Sequence, residues 1–307
     1  MRVAEARCVW PASALLGEAP VWIAETAALY WVDIFGGALH RYSPADERRE
    51  RCVMPSPTTA LAPMADGRLL CSSYRAIHAL DTASGELATI ASLDDLPEGA
   101  RINDGAAHAD GSFWFGSMDR GEHAPIGDFH RLAPDGTRER IAAGFAITNG
   151  PAFSPDGSRG YFVDTLARRI LQAPIREGRL AEPLATFVQL NASEGYPDGV
   201  AIDMQGGVWC AHWDGGRVTR FDADGRATDT IALPVANVTK CAFGGEALDR
   251  LFITTARKDL DVAALAAQPL AGGVFEAETR YRGVSAARYR DDARGAASIR
   301  TCVFETS

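Results

Sequence analysis

The chain has 307 residues, a formal net charge of -9, 47% hydrophobic and 23% charged residues, the balance of an ordinary globular protein of one large domain or two small ones. The acidic balance argues against nucleic-acid binding, which needs a basic face, and no apolar run is long enough for a membrane span. The opening "MRVAEARCVW" lacks the apolar core of a signal peptide, and Cys8, Cys52, Cys71, Cys210, Cys241 and Cys302 form no C-x-x-C pair, so free thiols in a reducing cytoplasm are expected.

Helical periodicity is nearly absent; its best candidate, "LDVAALAAQPLAG" around Leu265, is short. Short apolar runs alternate instead with Gly, Pro and Asp clusters, as in an all-β chain. In chain order, the runs are "AETAALYWVD" from Ala24 and "RLLCSSY" after Ala65-Asp66-Gly67. Next come "SFWFGSM" after Ala109-Asp110-Gly111 and "SRGYFVDT" after Pro155-Asp156-Gly157. The last are "VWCAHW" after Met204-Gln205-Gly206-Gly207 and "EALDRLFITT" from Glu246. Five of these six units carry a further turn, at Ser43-Pro44, Ser84-Gly85, Pro134-Asp135-Gly136, Glu177-Gly178 and Asp224-Gly225. Each unit thus reads as four strands in ~40–50 residues, a propeller blade rather than a one-strand solenoid coil. The expected fold is an all-β, six-bladed β-propeller with four antiparallel strands per blade, occupying residues 1–280. The segment "RVAEARCVW" is expected to complete the last blade. Residues 281–307 read as a C-terminal extension whose order the pattern leaves open, either loose or adding an edge strand through "SIRTCVFETS".

Counting back seven residues from each first turn gives six repeat heads: Glu18, Thr59, Asn103, Asn149, Asp198 and Lys240, spaced by 41, 44, 46, 49 and 42. Asn149-Gly150 would otherwise read as a hairpin turn, but Pro155-Asp156-Gly157 already supplies that turn. In a propeller the first strand of each blade lines the central channel, so all six heads are expected at one mouth. A wet channel accounts for any single polar head, but less well for six. Small or apolar residues follow most of them (Ala19, Ala60, Gly150, Gly199, Cys241) and would let the strands crowd the axis.

Glu18, Asn149 and Asp198 offer only oxygen as likely ligand atoms, a hard set suited to one divalent cation. Two carboxylates near an axis also need a counter-charge; Lys240 is the alternative source. Alternation along the strand puts Arg101 on the channel face with Asn103, where it suits substrate oxygens. The long third-blade loop "SMDRGEHAPIGD" places Glu122 and His123 over the mouth, as a substrate-contacting lid or as a solvated loop. "TTARKDL" is the corresponding segment of the sixth blade. His108 reads as a strand residue and His212 as a top-loop residue.

"LGEAPVW", "RINDGAAHADGSFWFGSM", "ITNGPAFSPDG" and "YPDGVAID" together resemble the blade starts of the regucalcin (senescence marker protein)/gluconolactonase family in order and spacing. The resemblance covers about residues 8–277, and "NVTKCAFGG" and "LFITTARKDL" are similar to bacterial sugar lactonases. It implies metal-dependent hydrolysis of a sugar (aldono-)lactone to the aldonic acid in bacterial sugar catabolism. It implies Glu18, Asn149 and Asp198 as metal ligands, and Arg101, Asn103 and Glu122 as substrate contacts, Glu122 with its register open by one residue. Asp198 would be the catalytic general base. The cofactor is one divalent metal ion, with Ca, Zn, Mn, Mg and Fe not distinguished. The partner is a small-molecule sugar lactone, for a monomer or weak homo-oligomer. A serine mechanism lacks its G-x-S-x-G elbow. The rivals are a non-catalytic calcium-binding or partner-binding propeller, and an arylesterase or phosphotriesterase of the same architecture.

Overall fold

Asp66-Gly67, Asp110-Gly111 and Asp156-Gly157 each close a tight turn with the glycine at positive φ, 89°, 88° and 71°, a backbone that glycine adopts without steric cost. The computed structural model describes residues 2–293, 298–300 and 302–306. Those turns join the first and second strands of blades two, three and four, and six sheets are built the same way around one axis. The innermost strands, in order, are Gly17–Ile23, Ala60–Pro63, Ala100–Ala107, Thr148–Phe153, Tyr196–Ile202 and Val238–Gly244. Each packs beside the next, and the last beside the first, so the ring is closed. This is a six-bladed β-propeller with four antiparallel strands as the unit of each blade. Trp31, Trp114 and Trp209, all fully buried, occupy the second strands of blades one, three and five and anchor the packing between sheets.

The N-terminal segment divides. Arg7–Trp10 pairs antiparallel with Val274–Glu278 as the outer strand of blade six, whereas Arg2–Glu5 runs parallel to Ala227–Ala232 on blade five. The short helix is Val262–Ala267, started by Asp261, whose carboxylate accepts from the Ala264 amide at 2.8 Å. No described helix is long and apolar enough to cross a membrane.

Beyond blade six the chain threads the turns at the bottom of the ring. Gly283 bridges Asp203, the Tyr289 amide donates to the Pro63 carbonyl, and the Arg290 amide donates to Gly111, both at 2.9 Å. Residues 294–297, 301 and 307 of the extension lie outside the described residues. Ser298–Arg300 pairs with Glu86–Ser92 on blade two, and Glu305–Thr306 with Arg48–Val53 on blade one. That second pairing lays the tail along blade one and brings Cys302 to Cys52, 250 residues away, with 5.5 Å between Cα atoms; the two form a disulfide. The expectation of free thiols throughout is therefore corrected for this pair. Cys8, Cys71, Cys210 and Cys241 are free.

Candidate functional site

Strand pairing slips at the head of five innermost strands. The register shifts fall between Glu18 and Val21, Ile102 and Gly105, Asn149 and Ala152, Pro197 and Val200, and Val238 and Lys240. A bulge bends its strand and re-aims a side chain. Blade two has no such slip: Ala60–Pro63 pairs evenly with Leu69–Ser72.

Glu18, Asn103, Asn149 and Asp198 line one cavity of about 220 Å³ at the mouth of the channel, together with Arg101 and Glu122. The expectation that all six heads meet there is corrected at two. Thr59 bonds to Ser72 across the evenly paired first two strands of its own blade, Oγ1 to Oγ at 2.8 Å. Lys240 pairs with Asp104 and does not line the cavity. His123 points outward beside Asp119, with its side chain 81% exposed. His108 lies just past the end of its strand, its ring Nε2 3.0 Å from the Gly157 carbonyl, and His212 is a buried residue of Val208–Trp213 rather than of a loop.

The polar floor is held by a relay of amides. Arg101 Nη1 donates to the Asn103 Oδ1 at 2.8 Å. Asn103 Nδ2 donates to the Thr148 carbonyl at 2.7 Å and to Asn149 Oδ1 at 3.1 Å. Asn149 Nδ2 in turn donates to Thr165 Oγ1 at 3.0 Å. The nitrogen of Asn149 thereby donates to Thr165, and its oxygen, which accepts from Asn103, has a second lone pair to offer. Glu18 Oε2 accepts from the Ala19 amide at 2.8 Å.

Glu18 and Asp198 are both buried. Burial first, then the Asp104 carboxylate, push the Glu18 carboxyl up to about 7 against the pull of Lys240. Burial, then Glu18 and Asp104, push Asp198 well above the usual carboxylate range. Two such acids resist ionising together unless positive charge joins them. The donor set of two carboxylates and one amide oxygen fits a hard divalent cation. Among the described residues no three His, Cys, Asp or Glu side chains gather to hold a metal, so a seat at this place would need the Asn149 amide as well.

Above the floor, Asp119 builds the third-blade loop by accepting from the amides of Gly121 at 3.1 Å and Ala124 at 2.8 Å. Glu122 sits in this loop at φ 61° and reaches across the mouth to Lys258 of the opposite blade, 3.1 Å from its Nζ. Lys258 also lies 5.3 Å from the centre of the Trp213 ring. Tyr196, Trp213, Lys258, Asp259 and Thr165 complete the polar and aromatic wall. In the sequence Lys258 is marked only by its place in "TTARKDL", and neither Thr165 nor Asp104 stands out. The lone lysine among the heads was a usable signal, since it required an acid nearby.

A family profile described as the SMP-30/Gluconolactonase/LRE-like region matches residues 16–257. L-arabinolactonase of Azospirillum brasilense is 40% identical over 285 residues, covering 91% of this chain and 94% of its own. The 6-deoxy-6-sulfogluconolactonase of Pseudomonas putida is 35% identical, covering 88% and 93%. The crystal structure of a calcium-binding protein, regucalcin, from Agrobacterium tumefaciens superposes with a TM-score of 0.90 at 32% identity, covering 94% of this chain and 99% of that one.

Proposed function

This chain belongs to the SMP-30/gluconolactonase/LRE-like family, and from that premise we propose that it is a lactonase that hydrolyses a sugar (aldono-)lactone to the aldonic acid, with one divalent metal ion, in bacterial sugar catabolism. The observation that carries the reading is the meeting of Glu18, Asn149, Asp198, Arg101, Asn103 and Glu122 around one cavity. The 40% identity to an L-arabinolactonase favours five-carbon lactones as the first substrates to try.

Glu18, Asn149 and Asp198 would hold the ion, which when bound supplies Lewis acidity toward the lactone carbonyl and a more acidic water. Asp198 takes a proton from the attacking water as its oxygen bonds to the carbonyl carbon. The ring C–O bond then breaks, and the proton returns to the departing ring oxygen to leave the open-chain acid. Arg101 and Asn103, already tied to each other, orient the sugar hydroxyls and steady the oxyanion. Glu122 and Lys258 take the substrate's outer hydroxyls, and Trp213 gives the sugar ring an apolar face.

The second reading is a non-catalytic calcium-binding propeller, favoured by the likeness to the regucalcin described as calcium-binding. A pH-drop assay on arabinono-, xylono-, galactono- and gluconolactones, with chelator and after metal reloading, separates the two. Turnover on at least one lactone, lost with chelator and regained with metal, supports the lactonase; silence on all four after reloading sinks it. A cytoplasmic location belongs to the same proposal. The Cys52–Cys302 bridge weighs against a strongly reducing compartment, and thiol counting in freshly lysed cells decides it.

A further inference from the structure

Beneath the cavity lies a buried ion pair that the mechanism above does not use. Asp104 and Lys240 have side chains only 3% and 9% exposed, and the Lys240 ammonium is bound to Asp104 Oδ1. The same Oδ1 accepts from the Gly105 amide at 2.7 Å, and Oδ2 accepts from the Gly150 amide at 2.8 Å. Asp104 therefore grips the backbone immediately after Asn149. Lys240 does the equivalent at Asp198. Its stem lies over Gly199, where a Cβ would fall 2.3 Å from Lys240 Cγ. The pair thus touches the residue following each of two candidate ligands and sits within electrostatic reach of Glu18.

Resting on the cation reading above, we propose that Asp104 is a positioning residue that holds Lys240 away from Glu18 and Asp198, so that their seat keeps the negative charge a divalent cation needs. An ammonium on a four-carbon stem is a mobile point charge. Without Asp104, Glu18 and Asp198 remain as acids within its electrostatic reach, and it becomes an internal competitor for the seat. With Asp104, the two charges cancel and Lys240 contributes packing over Gly199. The counter-charge role open to Lys240 from sequence is thereby directed to Asp104. The third carboxylate also explains how a lysine is tolerated at a channel head: a buried charge is costly unless paired and hydrogen-bonded.

This electrostatic role predicts opposite signs for the two halves of the pair, which a merely structural role does not. The test is calorimetric titration of the metal-free protein with Ca2+, Mn2+ and Zn2+, for the wild type, Asp104→Asn, Lys240→Met and the double variant. Asp104→Asn leaves a lysine against two acids, and its affinity should fall about tenfold or more. Lys240→Met leaves three acids and should bind about tenfold tighter. The double variant restores the wild-type charge and should stay within about threefold. Near-UV circular dichroism checks folding. If an unpaired charge prevents either single variant from folding, the double variant decides, and a loss beyond about threefold overturns the inference. A wild type that binds none of the three ions overturns the cation reading and this inference with it. A wild type that binds, with both single variants shifted the same way or not at all, overturns the inference alone.

Discussion

The amide of Asn149 is fixed at both ends: Nδ2 donates to Thr165 Oγ1 at 3.0 Å, and Oδ1 accepts from Asn103 Nδ2 at 3.1 Å. Thr165 thus fixes the amide nitrogen, and if Asn149 ligates the proposed cation with its oxygen, Thr165 plays the part that outer hydrogen-bond partners play for metal ligands. Thr165→Val keeps the volume and removes that acceptor. Metal affinity should fall about 10–100-fold, while Thr165→Ser should recover most of it. Calorimetric titration of the three proteins checks this, and equal affinities would dissociate Thr165 from the seat.

The bridge from Glu122 to Lys258 spans the mouth between blades three and six. Its partners are 37% and 20% exposed, so it contributes only about 0–1 kcal/mol to stability. Lys258→Met should leave the melting temperature nearly unchanged and raise KM for the preferred lactone by roughly threefold to tenfold, with a smaller change in kcat. Steady-state kinetics beside a thermal melt give the answer. A fall in kcat at constant KM would remove Lys258 from substrate binding.

Metal removal should be visible without any substrate. A cation that binds only the folded ring adds about 2.7 kcal/mol at one hundred times its dissociation constant. Thermal melts of chelated and reloaded protein should therefore differ by several degrees. In Asp198→Ala the difference should vanish.

Acid should loosen the fold through its buried imidazoles. Burial is the main cause that lowers His40, His130 and His212 to about 4. Their folded values lie below the ordinary 6.5, so between pH 6.5 and 4 the unfolded chain binds more protons than the folded one. Stability is present above that window and is lost as pH falls through it, up to about 3 kcal/mol for each histidine. His212 Nδ1 donates to the Glu194 carbonyl at 2.8 Å, since a carbonyl can only accept. His212→Asn can keep a donor there but cannot take up the proton. Urea midpoints at pH 7, 6 and 5 should fall less steeply for this variant than for the wild type. Parallel slopes would remove His212 as a contributor.

The Cys52–Cys302 bridge closes a chain segment of 250 residues, and losing a native disulfide typically costs about 2–5 kcal/mol. Unfolded protein kept oxidised should show four reactive thiols, and six after reduction, matching the free Cys8, Cys71, Cys210 and Cys241 plus the pair. Cys302→Ser should lower the melting temperature by several degrees, and six reactive thiols without reductant would refute the bridge.

Four of the blades were legible because each repeats a turn closed by a glycine at positive φ, Gly67, Gly111, Gly157 and Gly206, and a fixed count back from the matching position of every blade reaches the head of the innermost strand. The count reaches Glu18, Asn103, Asn149 and Asp198, which line one cavity and whose strands bulge just past the head. It misplaced Thr59, because its strand pairs evenly and its hydroxyl stays with Ser72. Asp104 was hidden by the two-residue alternation of a regular strand, which sends neighbours to opposite faces. The bulge between Ile102 and Gly105 breaks that alternation, so Asn103 and Asp104 both serve the channel. The cysteine pair was hidden by distance along the chain: the contact exists only once the tail has crossed the bottom turns and come back along blade one.

Blade six borrows its outer strand, Arg7–Trp10, from the opposite end of the chain, and Thr239 of its inner strand donates to the Gly17 carbonyl at 2.6 Å, one residue before Glu18. The proposed cation seat therefore straddles the seam of the ring. During synthesis the earliest segment made must wait for nearly the latest before Glu18 has its neighbours. A local opening of that seam would shift Glu18 of blade one relative to Asn149 and Asp198 of blades four and five. Occupancy of the seat would then act as a clasp on the circle: the rate at which bound metal escapes would report how often the first and last blades part.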